Sequence, residues 1–308
     1  MNFNLTILGS GSATPMVGRH PTAQLLEVDT DYFLIDCGEG TQYRLLEHRF
    51  RPGRLRYIFI SHLHGDHYFG LVPLLSSLNL AGRTDALHLF GPRGLSDILA
   101  LQFSYSDTRL NYALDFHEVD PTTPALLLDL PHLTVESIPL EHRIGCSGYL
   151  FREKPRKRKL IKEKLPPDMP IDYLRRLKNG EDIRNEAGEL LYGIDDYTTP
   201  APRSRSYAFC SDTRYSEAKL EQIHRVDLLY HEATFLSDQS LRATETFHST
   251  ARQAAVIAAK AQVGRLLIGH FSSRYKQPEL FLEEARTVFP NTRIAAEGVT
   301  FEVKDWKA

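Results

Sequence analysis

The chain has 308 residues, 42% hydrophobic and 25% charged, with a net charge of −2. That length fits one large α/β domain or two smaller ones, and the composition excludes a chain disordered throughout. No apolar run reaches the length of a membrane span, and MNFNLTILGSGS lacks the basic and apolar regions of a signal peptide, so a cytoplasmic protein with no membrane partner is expected.

In chain order, LTILGSG, AQLLEV, YFLIDCG and YIFISHLH read as strands. Gly9-Ser10-Gly11-Ser12-Ala13 has the look of a dinucleotide loop but lacks the third glycine, so a tight turn is the better reading. Leu71, Leu74, Leu75 and Leu78 recur at helical spacing and predict one apolar helix face. A second group of strands follows: LTVESIPLEH, GYLF, SYAFCSD, LLYHEATF, RLLIGHF and a terminal IAAEGVTFEV. An alanine-rich helical pattern runs from Thr250 to Gln262. Strand groups with interleaved helices predict a layered α/β architecture.

Residues 153–205 break the pattern. Lys154, Arg156, Lys157, Arg158, Lys159, Lys162 and Lys164 form a basic cluster with Glu163 as its one acidic member. Pro166-Pro167-Asp168-Met169-Pro170 is expected to end any helix. The segment reads either as a solvated surface loop or as a functional insertion in a single domain spanning 1–308, and its length favours function.

The three cysteines, Cys37, Cys146 and Cys210, are widely spaced and form no Cys-x-x-Cys. A reducing compartment is expected, and any metal site must use histidine and carboxylate. Ser61-His62-Leu63-His64-Gly65-Asp66-His67 supplies that chemistry, with four potential ligands where a strand ends and a helix begins. Imidazole and carboxylate suit zinc or a similar divalent ion. His142 and His270, each at a strand end, would alone be core histidines; beside this cluster they read as ligands. His88, His117, His132 and His224 lack such a context and read as structural.

His-x-His-x-Asp-His resembles the signature of metallo-β-lactamase-fold hydrolases, and the resemblance extends along nearly the whole chain. The similarity is greatest to the ribonuclease Z branch. Asp36-Cys37-Gly38-Glu39-Gly40-Thr41-Gln42, His231-Glu232-Ala233-Thr234, Phe247-His248-Ser249-Thr250 and the segment Gly269 to Tyr275 match motifs of that branch. The resemblance implies a four-layer αββα sandwich and two zinc ions per chain. His62, His64 and His142 would hold one ion, and Asp66, His67 and His270 the other, with Asp212 between them. It also implies hydrolysis at the 3′ end of precursor tRNA, a homodimer, and an inserted basic arm that grips tRNA, for which the charge cluster offers Arg156, Lys157, Arg158 and Lys159 as contacts. Two departures stand out. The loop from Pro15 to His20 has Val17 where the family usually has lysine and His20 where it has asparagine, and the stretch from Leu165 to Pro170 lacks the family's glycine. That loop is linked in the family to handling of the 3′ CCA sequence.

The expected chemistry divides among a few residues. Asp66 orients or deprotonates the attacking water. His248 is the candidate general acid, and Glu232 stabilises its charged form. His248 precedes a helix whose start carries Thr250 and Gln253 at capping-box spacing. Arg274 is either a phosphate clamp or a surface salt-bridge partner. Two other functions remain open at this stage: a zinc phosphodiesterase or arylsulfatase-like hydrolase of small molecules, and a non-catalytic zinc protein that binds RNA.

Overall fold

Successive side chains on a strand face opposite ways, so an apolar strand offers two apolar faces. In Ser206–Cys210, Tyr207 and Phe209 join one apolar cluster while Ala208 and Cys210 join another. Each sheet built from such strands needs a cover on both sides. The computed structural model, which describes residues 2–304, meets that need with four layers.

The first sheet runs edge to edge through Thr300–Glu302, Phe3–Gly9, Ala23–Val28, Asp31–Ile35, Leu55–Phe59, Leu87–Gly91 and Leu114–Glu118. Its first pairings are antiparallel and its last three parallel. The second sheet runs through Thr292–Ile294, Arg265–Gly269, Leu228–Glu232, Ser206–Cys210, Cys146–Glu153, Leu133–Leu140 and Leu126–Asp129. Between the sheets lie Phe33, Phe59, Tyr149, Phe151, Tyr207 and Phe209, all fully buried. Truncating one such phenylalanine to alanine costs roughly 3–5 kcal/mol.

Helices Leu71–Leu80 and Leu95–Tyr105 cover the outer face of the first sheet through Leu71, Leu74, Leu75, Leu78, Leu95 and Leu99. Helices Ala251–Lys260 and Glu279–Arg286 cover the second sheet through Ala254, Ala255, Ala258, Phe281 and Ala285. The small alanine side chains let the first of these helices lie close to its sheet. This is the αββα sandwich that the resemblance implies.

IAAEGVTFEV is not one strand. Thr292–Ile294 ends in the second sheet and Thr300–Glu302 pairs in the first. The chain crosses between sheets at Gly298, whose φ of 80° suits glycine best.

Residues 153–205 link the strands Cys146–Glu153 and Ser206–Cys210. The segment folds around a small core of Met169, Leu177 and Ile183, with Leu160, Tyr173, Leu174 and Tyr192 packed against it. Pro170 does not end a helix; it is the N-cap of the helix Ile171–Lys178. Proline is tolerated there because the first turn needs no amide donor. The two ends of the segment meet at Glu153, whose carboxylate accepts bonds from Arg205 Nε at 2.9 Å and Nη2 at 2.6 Å.

Candidate metal centre

The central strands deliver the site. Leu55–Phe59, Leu228–Glu232 and Arg265–Gly269 all run parallel to a neighbour and end at the same rim. The carboxyl ends of parallel strands are where such sheets build their sites. His62 to His67, Thr234 and His270 follow directly from those ends.

His62 Nε2 lies 3.0 Å from His64 Nδ1, and His142 Nε2 lies 3.2 Å from the same atom. Asp212 Oδ2 is 3.6 Å from His62 and 3.8 Å from His142. On the other side, Asp66 Oδ2 is 3.4 Å from His67 Nε2 and 3.3 Å from His270 Nε2, and Asp212 Oδ1 is 3.2 Å from His270 Nε2. Asp212 therefore belongs to both sets. Metal–ligand bonds of about 2.0–2.1 Å in a tetrahedron place neighbouring ligand atoms about 3.3–3.4 Å apart. The observed spacings scatter around that value.

Hydrogen bonding explains why a cation fits. His67 Nδ1 donates to Asp36 Oδ2 at 2.7 Å, and His142 Nδ1 donates to the Phe247 carbonyl at 3.0 Å. Ser61 Oγ donates to Asp36, so it accepts from His62 Nδ1 at 3.0 Å. Thr234 Oγ1 donates to Glu232, so it accepts from His270 Nδ1 at 2.9 Å. Each of these four rings spends its proton on an outer partner and turns the Nε2 lone pair inward. Lone pairs and carboxylates then face one another without donors. His67 Nε2 and Asp212 Oδ1 are buried with no hydrogen-bond partner. A metal cation satisfies such a set.

The electrostatics agree. Burial holds His62, His64 and His142 toward the neutral form that ligates metal. Burial opposes charge on Asp66 and Asp212, yet the surrounding histidines hold both carboxyls well below their ordinary range. Burial also opposes a charged His67, but Asp212, Asp36 and Asp66 push it the other way. Three carboxylates around one imidazole mark a place that attracts positive charge, and a metal ion at Nε2 would take the place of that proton.

His248 stands beside these sets, and with Asp212 and His270 it forms a third close group. Its Nδ1 is committed elsewhere, donating to Glu232 Oε1 at 2.9 Å. Glu232 is completely buried. Burial disfavours the charged imidazole, but Glu232 and Asp212 raise the His248 pKa to about 9. Thr250 and Gln253 form a full capping box at the start of the following helix.

His64, Asp66, His142, Asp212, His248 and His270 line one cavity of about 820 Å3. Arg274 is exposed in its wall, and no carboxylate pairs with it among the described residues. The loop from Ser12 to Pro15 forms the adjoining wall. Arg19 ties that loop to the Tyr275 carbonyl at 3.2 Å, and Glu297 accepts bonds from the amide and the ring of His20 at 2.9 and 2.7 Å. Val17 projects almost fully into solvent.

Arg156, Lys157, Arg158 and Lys159 are absent from this cavity's lining. Two of the four are engaged within the chain: Arg156 binds Glu153 at 2.7 Å, and Arg158 binds Asp195 at 2.6 Å and Thr198 at 2.6 Å. Lys157 and Lys159 are exposed, as are Lys162 and Lys164. Sequence reasoning missed the acceptors that aim the imidazoles: Asp36, Ser61, Thr234 and the Phe247 carbonyl. Asp36 and Thr234 lie inside the family-like motifs of the sequence, which was the available signal.

Comparison with known proteins gives the family. The chain is 49% identical over 305 residues to ribonuclease Z of Cytophaga hutchinsonii, covering 99% of this chain and 97% of that protein. The chain belongs to the ribonuclease Z family. Ribonuclease Z of Bacteroides thetaiotaomicron is 43% identical, covering 99% of this chain and 96% of that one. Among solved structures, human tRNase Z, short form, has a TM-score of 0.72 and 26% identity, covering 98% of this chain and all of that one. A family model described as anti-Pycsar protein Apyc1 matches residues 3–152, which contain His62 to His67 and His142. The ribonuclease Z relatives instead span both sheets and the complete donor set.

Proposed function

We propose that the chain is an endoribonuclease that hydrolyses a phosphodiester at the 3′ end of precursor tRNA, using two zinc ions. The observation that carries this reading is the His248–Glu232 pair, 2.9 Å apart and standing outside the two donor sets. A binding protein has no use for a buried acid pair beside a metal centre. Membership of the ribonuclease Z family supports tRNA as the substrate.

His62, His64, His142 and Asp212 would hold one ion, and Asp66, His67, His270 and Asp212 the other. Such ions, when bound, neutralise phosphate charge and make water a better nucleophile. The chain's own residues do the rest. Asp66 presents a carboxylate at the cavity wall that orients the attacking water and accepts its proton. Arg274 would clamp the phosphate through a bidentate contact to two of its oxygens. As the bond between phosphorus and the ribose 3′ oxygen breaks, its electron pair goes to that oxygen, which takes the proton from His248 Nε2. Glu232 keeps the His248 Nδ1 proton in place and so fixes which nitrogen faces the substrate. The tRNA leaves with a 3′ hydroxyl and the trailer with a 5′ phosphate.

The exposed lysines of 153–205 would add sequence-independent affinity for RNA phosphates. A homodimer and a cytoplasmic location complete the proposal. Exposed Tyr43 and Leu46 beside an apolar pocket of about 350 Å3 are consistent with a partner surface. No helix among the described residues is long and apolar enough to cross a membrane. Incubating the zinc-loaded protein with 3′-extended tRNA and with small phosphodiesters tests the substrate assignment. Turnover confined to the small substrates would overturn it, and binding of RNA without turnover would make the chain a binding protein.

A further inference from the structure

Two arginines beside the acid pair have no role in the chemistry described so far. Arg143 and Arg242 line the same cavity as the donor sets, and both are exposed. Neither side chain has a hydrogen bond or ion pair among the described residues. Other arginines of this chain, among them Arg44, Arg54, Arg83, Arg176 and Arg214, are spent on carboxylates or carbonyls. Unengaged guanidinium groups at the mouth of a cavity are available for a ligand, and their planar fork matches a phosphate.

Their place in the fold gives them a direction. Arg143 follows His142, whose ring stands 5.2 Å from that of His248. Arg242 lies in the short helix Ser240–Glu245, whose end sets His248: the His248 amide donates to the Ala243 carbonyl at 2.7 Å, and the Thr246 amide donates to the Arg242 carbonyl at 2.9 Å. Both are thus tied by the backbone to the side of the cavity that holds the acid. Arg274 follows His270, whose ring lies 5.5 Å from that of His248, and sits beside the Ser12 to Pro15 loop, which meets that strand end through the Phe271 carbonyl.

The acid's position orients the substrate. His248 protonates the ribose 3′ oxygen, so the nucleotide that keeps this oxygen lies against the His248 wall. The next phosphate on that strand, one nucleotide to the 5′ side of the cut, passes the same wall. We propose that Arg143 and Arg242 grip this phosphate and so set which way the RNA strand runs through the cavity. This rests on the endoribonuclease reading above. It assigns the two residues to substrate binding on the leaving-group side.

The test pairs arginine variants with substrates lacking single charges. Three 3′-extended tRNAs are compared: unmodified, with a neutral methylphosphonate one position 5′ of the scissile phosphate, and with one placed one position 3′ of it. With the metal-loaded protein, Arg143→Gln and Arg242→Gln should each raise KM for the unmodified RNA by about tenfold, with a smaller effect on kcat, as removal of a charge-assisted hydrogen bond at an exposed position implies. The log–log salt dependence of binding should flatten by about 0.7 for each phosphate of single-stranded RNA that is no longer neutralised. On the 5′-neutralised RNA, wild type should lose as much as the double variant Arg143→Gln/Arg242→Gln loses on unmodified RNA, and the double variant should lose nothing more. On the 3′-neutralised RNA the variants should keep their full defect. Additive losses for the double variant on the 5′-neutralised RNA, a defect that vanishes on the 3′-neutralised RNA, or variants equal to wild type on unmodified RNA would each overturn the assignment. Failure of wild type to cut the unmodified RNA would sink the endoribonuclease reading itself, and that control is run before any variant.

Discussion

His248 Nδ1 lies 2.9 Å from Glu232 Oε1, so the buried carboxylate both charges the imidazole and fixes which nitrogen faces the cavity. Glu232 does more than this. It also accepts the amides of Thr213, Thr234 and Ser249 at 3.0, 3.0 and 3.1 Å, and the Thr234 hydroxyl at 2.8 Å. That hydroxyl in turn receives His270 Nδ1. One carboxylate therefore organises the acid and, through Thr234, a proposed metal ligand.

His248→Ala is predicted to slow RNA cleavage by about 10²–10⁴-fold, the usual cost of losing a general acid. Metal content should not change, because His248 Nδ1 is committed to Glu232. Single-turnover kinetics beside elemental analysis decide the matter; near-normal chemistry in the variant removes His248 from the mechanism.

Glu232→Ala should reduce stability as well as rate. It strands three buried amides, each at a cost of about 1–3 kcal/mol. Thermal unfolding should therefore separate it from His248→Ala, which is expected to unfold near wild type. A Glu232→Ala protein as stable as wild type would mean that other acceptors replace the carboxylate.

Replacing Asp212 with alanine should remove metal and activity together. Its two oxygens lie 3.2–3.8 Å from ligand atoms of both sets. Elemental analysis should fall from about two equivalents, as two-metal sites hold, to one or fewer. Retention of both equivalents in the variant contradicts a bridging role.

The donor cluster was legible because it is local. His62, His64, Asp66 and His67 fall in one turn, and the remaining donors each close a recognisable strand. The layers were legible for a similar reason, since the alternation in Ser206–Cys210 and the leucine spacing in Leu71–Leu80 are properties of single elements. What stayed hidden depends on distant segments meeting. Asp36 orients His67 from 31 residues away. The core of 153–205 joins Met169, Leu177 and Ile183, which follow no period. The run IAAEGVTFEV divides between two sheets because its pattern suits either, and Gly298 was the one local cue. The basic run looked uniform, yet the fold spends Arg156 and Arg158 on Glu153 and Asp195.

That distinction changes what charge removal should do. Neutralising the exposed Lys157, Lys159, Lys162 and Lys164 is predicted to raise KM for precursor tRNA and flatten its salt dependence, since fewer counterions are released when fewer phosphates are neutralised. Hydrolysis of a small phosphodiester, which does not reach this segment, should change far less. Equal loss on both substrates would assign the lysines to the fold instead.

Glu153 is predicted to act through stability. Burial alone would raise its pKa, but Arg205 and Arg156 hold the carboxyl below its ordinary value. A depressed folded-state pKa contributes stability that is present above the unfolded pKa, about 4.3 for glutamate, and is lost as pH falls through the folded value. Glu153→Gln should lower stability by about 3 kcal/mol at neutral pH, as expected when one partner of a buried pair is removed. Its unfolding free energy should then fall less steeply than that of wild type below about pH 4.3. Parallel pH profiles for the two proteins would show that the Glu153 ion pairs add nothing.

The central claim is tested most directly by incubating the zinc-loaded protein with 3′-extended precursor tRNA and mapping the product ends. The account predicts one cut at the 3′ end of the tRNA, with a 3′ hydroxyl on the tRNA and a 5′ phosphate on the trailer. Release of a 3′ phosphate on the tRNA, or no cleavage by protein that hydrolyses a small phosphodiester under the same conditions, would contradict it.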